Sequence, residues 1–221
     1  MTGGGKSTAA AMEGGADVVY GFDPLCGWCF GFIPAMRALV DARPDLRIDL
    51  RLGGLVTGAR IGPYALMRTY IEGASARMTA ITGQALGASF LQALLRRDDV
   101  TSSSVPPSAA ILAVRDARPD LALDFAHAVQ VAHFRDGHDL NDAATYQPLL
   151  DHLGIAMDLR LPAPTDLPPA LAREFDATRA LGIASFPALL VRRGKAWLTV
   201  PSTYEPKALL AEVEQRLPAS I

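Results

Sequence analysis

Val18-Val19-Tyr20-Gly21-Phe22-Asp23-Pro24-Leu25-Cys26-Gly27-Trp28-Cys29-Phe30 is the stretch on which the reading of this chain turns. It holds both cysteines of the 221-residue sequence, spaced Cys-x-x-Cys. The apolar run before them reads as a buried strand, and the residues from Cys26 onward read as a helix. Two thiols at a strand-to-helix junction point to redox chemistry rather than to a disulfide scaffold, which needs more cysteines.

Outward from this stretch the pattern divides into two halves. On the N-terminal side of the chain, residues 17–22 form a strand and residues 26–40 a helix with Pro34 inside it, where the missing N–H should bend it. Residues 46–52 alternate Leu46, Ile48, Leu50 and Leu52 with Arg47, Asp49 and Arg51, the period of a half-buried strand, closed by Gly53-Gly54. Residues 62–161 then read as helical throughout, including a helix over 108–117 capped by Ser108 after Pro106-Pro107. Pro162-Ala163-Pro164 and Pro168-Pro169 form a connector. A helix over 170–181 ends at Gly182, residues 188–191 and 196–200 read as a hairpin, and an amphipathic helix covers 206–217. The order β-α-β, helical block, α-β-β-α is that of an α/β thioredoxin-like fold with a helical domain inserted between its halves. The expected domains are 16–61 with 170–221 for the discontinuous thioredoxin-like part, 62–169 for an all-helical insertion, and 1–15 for a flexible Gly/Ala-rich tail.

The chemistry of the site follows from its spacing. The thiolate is the nucleophilic form of cysteine, and the unpaired N–H groups at a helix start favour negative charge on Cys26. The i, i+3 spacing puts both sulfurs on one helix face, within reach of a bond. Cys26 is therefore read as the exposed attacking sulfur and Cys29 as the buried resolving one. Asp23 is a candidate proton relay for Cys29; the plainer reading, a turn residue that caps the helix, is preferred. Phe186-Pro187 follows Ser185 between a helix and a strand, where an X-Pro bond can be cis at modest cost; the alternative is an ordinary trans proline opening the strand. Trp28 is read as partly exposed and substrate-facing, part of an apolar patch beside the cysteines.

Other motifs carry less. Half a zinc site is the competing reading of the Cys pair, but only His133 and His138 offer a second pair at short spacing, and no metal is expected. His127, His133 and His152 read as surface or satisfied core histidines. Gly5-Lys6-Ser7 mimics the end of a phosphate-binding loop but lacks the preceding glycine and strand. A net charge of −2 gives no footprint for nucleic acid or an anionic membrane. No apolar run approaches the roughly 18 residues of a membrane span. No export signal is visible in the first residues, so a reducing cytoplasm is the expected compartment.

Residues 22–32, Phe-Asp-Pro-Leu-Cys-Gly-Trp-Cys-Phe-Gly-Phe, resemble the active-site segment of DsbA-family thioredoxin-like proteins, closest to the branch of protein-disulfide isomerases with an Asp-Pro-x-Cys-x-Trp-Cys pattern. Gly53-Gly54-Leu55 and Gly182-Ile183-x-x-Phe186-Pro187 are similar to that branch too. The resemblance implies a thiol-disulfide oxidoreductase or isomerase with Cys26 and Cys29 as the redox pair and Pro187 as the cis proline of a loop that faces them and meets an extended substrate. It implies no cofactor beyond the Cys26–Cys29 disulfide, with glutathione a candidate co-substrate and protein or small-molecule thiols as partners. Gly27-Trp28 replaces the dipeptide whose histidine helps make periplasmic DsbA oxidising, so the direction stays open. Two other classes stay open as well: a glutathione-dependent transferase or isomerase of the kappa or hydroxychromene-carboxylate type, which typically carries a serine here, and a non-catalytic chaperone-like module.

Overall fold

The computed structural model describes residues 15–218; the tail over 1–14, with Gly5-Lys6-Ser7, lies outside the described residues. In chain order the elements are β1 (Val18–Phe22), α1 (Gly27–Ala42), β2 (Ile48–Leu52), β3 (Gly62–Pro63), α2 (Arg68–Thr82), β4 (Thr101–Ser102), α3 (Val105–Ala117), α4 (Ala122–Phe134), α5 (Gln147–His152), α6 (Pro169–Ala180), β5 (Ala188–Arg193), β6 (Ala196–Val200) and α7 (Pro206–Glu214). The main sheet runs β2-β1-β5-β6. β1 pairs parallel with β2 and antiparallel with β5, so it is flanked on both edges. All five of its residues are buried, which is why it reads as an unbroken apolar run rather than an alternating one.

The period of two survives in what those residues touch. Val18, Tyr20 and Phe22 join the main core with Phe32, Met36 and Leu39 of α1. Val19 points the other way and packs with Ile183 and Leu190. The main core also takes Ile111 of α3 and Phe125 and Val129 of α4, so the helices between β2 and α6 share one core with the sheet. α1 is apolar on more than one side: Phe30 and Ile33 enter a second cluster with Tyr64, Phe90 and Phe134. That double burial makes α1 the element shared by the main core and the second cluster.

Three departures from the sequence reading have local causes. The segment 62–161 is not helical throughout: β3 and β4 form a two-residue antiparallel ladder, Gly62 with Ser102 and Pro63 with Thr101. So short a pairing leaves no alternating pattern to detect. α3 begins at Val105, not at Ser108, and takes Pro106 and Pro107 into its first turn. First-turn N–H groups have no helical partner, so proline costs nothing there, and Ser104 stands at the cap. Residues 153–161 contain no helix, because α5 closes at Gly154 (φ 66°).

A buried ion pair joins three elements. Arg115 of α3 donates two hydrogen bonds to Glu174 of α6, at 2.6 and 2.8 Å, and one to the Leu50 carbonyl of β2 at 2.6 Å. Glu174 also accepts from the Leu52 N–H at 3.2 Å. Burial alone would raise the Glu174 pKa, but the Arg115 hydrogen bonds and charge, with Arg51 beside them, hold it below the ordinary carboxylate value. Glu174→Ala would leave Arg115 buried without its partner and is expected to lower unfolding stability by about 3–5 kcal/mol in urea titrations. A loss below about 1 kcal/mol would mean that the pair is not a structural tie.

Candidate active site

Cys26 is the residue that caps α1. Its backbone is extended (φ −83°, ψ 107°) and its sulfur accepts a hydrogen bond from the Cys29 N–H at 3.3 Å. A sulfur in this position replaces the usual oxygen cap, so the first-turn N–H groups face the nucleophile itself. The same sulfur donates to the Phe186 carbonyl at 3.3 Å. The Phe186–Pro187 peptide bond is cis. Both cysteines are free thiols. Cys26 is 5 % exposed and Cys29 0 %, so Cys26 is less open than the sequence reading expects, yet it is the one with access. Burial pushes the Cys29 thiol well above its ordinary value, and the neighbouring Cys26 adds to the rise.

The loop that faces Cys26 is seated by a glycine. A Cβ on Gly53 would come within 1.9 Å of the Phe186 ring, so only a residue without a side chain lets that ring lie against the end of β2. Gly54 follows in the left-handed region (φ 67°). The pair that closes β2 in sequence is thus also the seat of the Phe186 loop.

Asp23 is a turn residue, as the preferred sequence reading has it, accepting from the Leu25 N–H two residues on, but the cap of α1 is Cys26 and not Asp23. Its carboxylate is fully buried and accepts from three segments: the Leu25 N–H at 2.9 Å, the Leu55 N–H at 2.6 Å and the Ser104 hydroxyl at 2.9 Å. Ser104 accepts in turn from the Val56 N–H at 3.0 Å. Burial pushes the Asp23 carboxyl up to about 6 against the lowering effect of these hydrogen bonds and of the Arg60 charge. Gln130 of α4 donates to the carbonyls of Asp23 and Cys26, both at 3.1 Å, and so clamps the turn from the other side.

Trp28 is half-buried. Its ring lies 5.7 Å from that of Tyr204, which meets Phe32 edge-on at 5.6 Å. Trp28 and Cys26 line a cavity of about 520 Å³ whose walls include Leu55, Tyr64, Met78 and Phe90, with Arg60 as its charged group. Leu66, Met67 and Tyr70 expose apolar surface nearby. His133 does not pair with the His138 ring: one nitrogen meets Tyr64 Oη at 3.0 Å and the other the His138 carbonyl at 3.0 Å. Among the described residues no group of three or more His, Cys, Asp or Glu could hold a metal ion. His127 is buried with neither ring nitrogen hydrogen-bonded, so it is not the satisfied core histidine of the sequence reading.

Sequence reading alone does not single out Ser104, Gln130 or Tyr204. Gln130 carries the one usable signal, a polar residue beside the apolar positions Phe125, Val129 and Ala132 of a helix. Ser104 and Tyr204 reach the site from more than 70 residues away, and no local pattern marks them.

The thioredoxin-like fold around this site is matched in solved structures. Cytosolic disulfide reductase DsbM from Pseudomonas aeruginosa is 27% identical, covers 90% of this chain and 97% of its own, and superposes with a TM-score of 0.71. The chain's neighbours among solved structures are DsbA-family oxidoreductases. The same DsbM with GSH is 25% identical, with 90% and 97% covered and a TM-score of 0.69. A candidate protein disulfide isomerase from Nitrosomonas europaea, 22% identical over 90% of this chain and 95% of that one, shares the fold at a TM-score of 0.67. No protein-family model matches the sequence, and no curated protein does. The DsbA-family neighbours are disulfide oxidoreductases, and among the described residues no helix is long and apolar enough to cross a membrane.

Two measurements test this geometry. Gly53→Ala forces the Phe186 ring and its carbonyl away from Cys26 and should cut disulfide exchange by about tenfold or more, as misplacement of about 1 Å does at other sites. Unchanged exchange would separate the loop from the chemistry. Asp23 has a folded pKa of about 6 against an unfolded value near 3.8, so the folded state binds its proton more tightly. Its contribution to stability should fall as pH rises from about 4 to 6 and level off above, opposite in sign to Glu174. Urea unfolding of wild type and Asp23→Asn across this range checks it: a pH-independent difference between them would refute the assignment.

Proposed function

We propose that this chain is a thiol-disulfide oxidoreductase that works through Cys26 and Cys29 and runs mainly in the reductive direction, with glutathione or a similar small thiol as partner. The observation that carries the reading is the Cys26 sulfur at the α1 cap, 3.3 Å from the Phe186 carbonyl and open to a cavity. Cys26 as thiolate attacks one sulfur of a substrate disulfide. A Cys26–substrate bond forms, the substrate S–S bond breaks, and the leaving thiolate takes a proton from water. Cys29 then loses its proton and attacks Cys26, forming the Cys26–Cys29 bond and expelling the second substrate thiolate. The substrate gains two electrons and the protein gives them up, until two thiols of glutathione return them. The name of DsbM as a reductase, its structure with GSH and the absence of a histidine between the two cysteines support this direction. A reducing, cytosolic compartment fits it.

Purified protein in a glutathione redox buffer should reduce a protein or small-molecule disulfide. Cys26→Ser should lose this activity by about 100-fold or more, as expected when the nucleophile is removed. Cys29→Ser should accumulate the Cys26 mixed disulfide, visible by mass spectrometry. Full activity of Cys26→Ser would end the proposal.

The apolar cavity against Cys26 also favours a second reading, a glutathione-dependent transferase or isomerase with an apolar co-substrate in that space. Turnover of a glutathione conjugate by the Cys26→Ser/Cys29→Ser protein would select it.

A further inference from the structure

Tyr20 lies in the middle of β1, on the face that meets α1, and is 0 % exposed. Its ring is fixed by Phe22 at 5.7 Å, Phe32 at 5.9 Å and His127 at 6.5 Å. Phe32 stands one turn beyond Cys29 on α1, so the phenol reaches the helix face that carries the resolving thiol. Its hydroxyl has no hydrogen-bond partner in the dithiol state. A buried hydroxyl left in that condition costs roughly 1–3 kcal/mol, and such an orphan calls for an explanation in another state of the protein. Tyr20 shares one buried cluster with Cys26 and Cys29, and after burial itself Cys29 contributes most to raising the phenol's pKa.

We propose that the Tyr20 hydroxyl is the internal hydrogen-bond donor to the Cys29 thiolate, satisfied only while Cys29 attacks the Cys26 mixed disulfide. This rests on the exchange reading of the preceding subsection and adds a residue to it. The Cys29 proton leaves before attack. The new bond forms between Cys29 and Cys26, and the Cys26–substrate bond breaks with its electron pair on the departing sulfur. The Tyr20 proton stays on its oxygen throughout, because burial raises the phenol well above its ordinary value. The other titratable groups around the pair are less well placed to donate to Cys29. Asp23 is engaged by its three donors, His127 lines a separate hollow with Arg37 and Asp41 further along α1, and Tyr204 lies on Trp28 and Phe32, on the half-buried side nearer Cys26. Cys26 is the target of the attack.

Tyr20→Phe removes the hydroxyl and keeps the ring. The aryl disulfide dithiobis(nitrobenzoate), added to the reduced full chain, releases one coloured thiolate when Cys26 attacks it and a second when Cys29 displaces the first adduct. The variant should leave the first release unchanged and slow the second by about tenfold or more at neutral pH, the effect of losing a hydrogen bond to a charged group. The pH profile of the second release should move upward. Stability in urea should be unchanged or higher, because an unsatisfied buried group has gone. An unchanged second release overturns the proposal. So does an equal slowing of both releases with lowered stability, which is the result of a packing role. A wild-type chain that never gives the second release overturns the exchange reading itself, and the two failures are therefore distinct.

Discussion

A single buried carboxylate holds the site in register. Asp23 is removed from water, and it accepts from the redox turn (Leu25), from the loop after β2 (Leu55) and from the cap of α3 (Ser104). Those three segments are distant in sequence, and two of them have backbone N–H groups that would be unpaired in a buried setting without it. An acceptor-only side chain with several lone pairs suits a place where three donors converge. Gln130 completes the tie from the opposite side, through the carbonyls of Asp23 and Cys26. The position of Cys26 against Phe186 follows from this clamp and from the bare backbone of Gly53.

The clamp also explains why the helices between β2 and α6 are not a separate appendage to the chemistry. Ser104 and Gln130 belong to them, and both act on the turn that carries Cys26. They supply walls of the cavity at the same time, through Tyr64, Met78 and Phe90. A thioredoxin-like sheet and α1 alone would place two thiols at a helix start. The added helices fix the turn and cover one side of it with apolar surface.

Much of this was legible in the sequence, for reasons that differ by element. The continuous apolar run of β1, the alternation in β2 and the Gly194-centred hairpin are local patterns, and the structure has strands at each of them. The Cys-x-x-Cys showed itself by composition alone, as the two cysteines of the whole chain. What stayed hidden depends on convergence. Asp23 beside Pro24 looks like any turn acid, and only its burial makes it a junction. Ser104 stood in a run of serines, and its two hydrogen bonds need partners from residues 23 and 56. Tyr20 read as one more apolar strand residue because its ring dominates its character, and its hydroxyl matters only where it ends.

Two buried carboxylates serve this chain in opposite electrostatic conditions. Glu174 faces the guanidiniums of Arg115 and Arg51, is held ionised, and stabilises the fold where it is charged. Asp23 meets dipoles instead of a contacting cation, and burial leaves it close to titration near neutrality. A structural tie gains from the first arrangement, since a full charge pair resists changes of pH. A junction beside thiols that lose and regain protons gains from the second. A carboxyl near 6 is mostly ionised at neutral pH, and its charge raises the Cys29 thiol. It lies closer to its neutral form than Glu174 does, and so opposes a Cys29 thiolate less than a permanently charged neighbour would. The same buried turn that orders the backbone therefore places beside the sulfurs a carboxyl whose charge can still change.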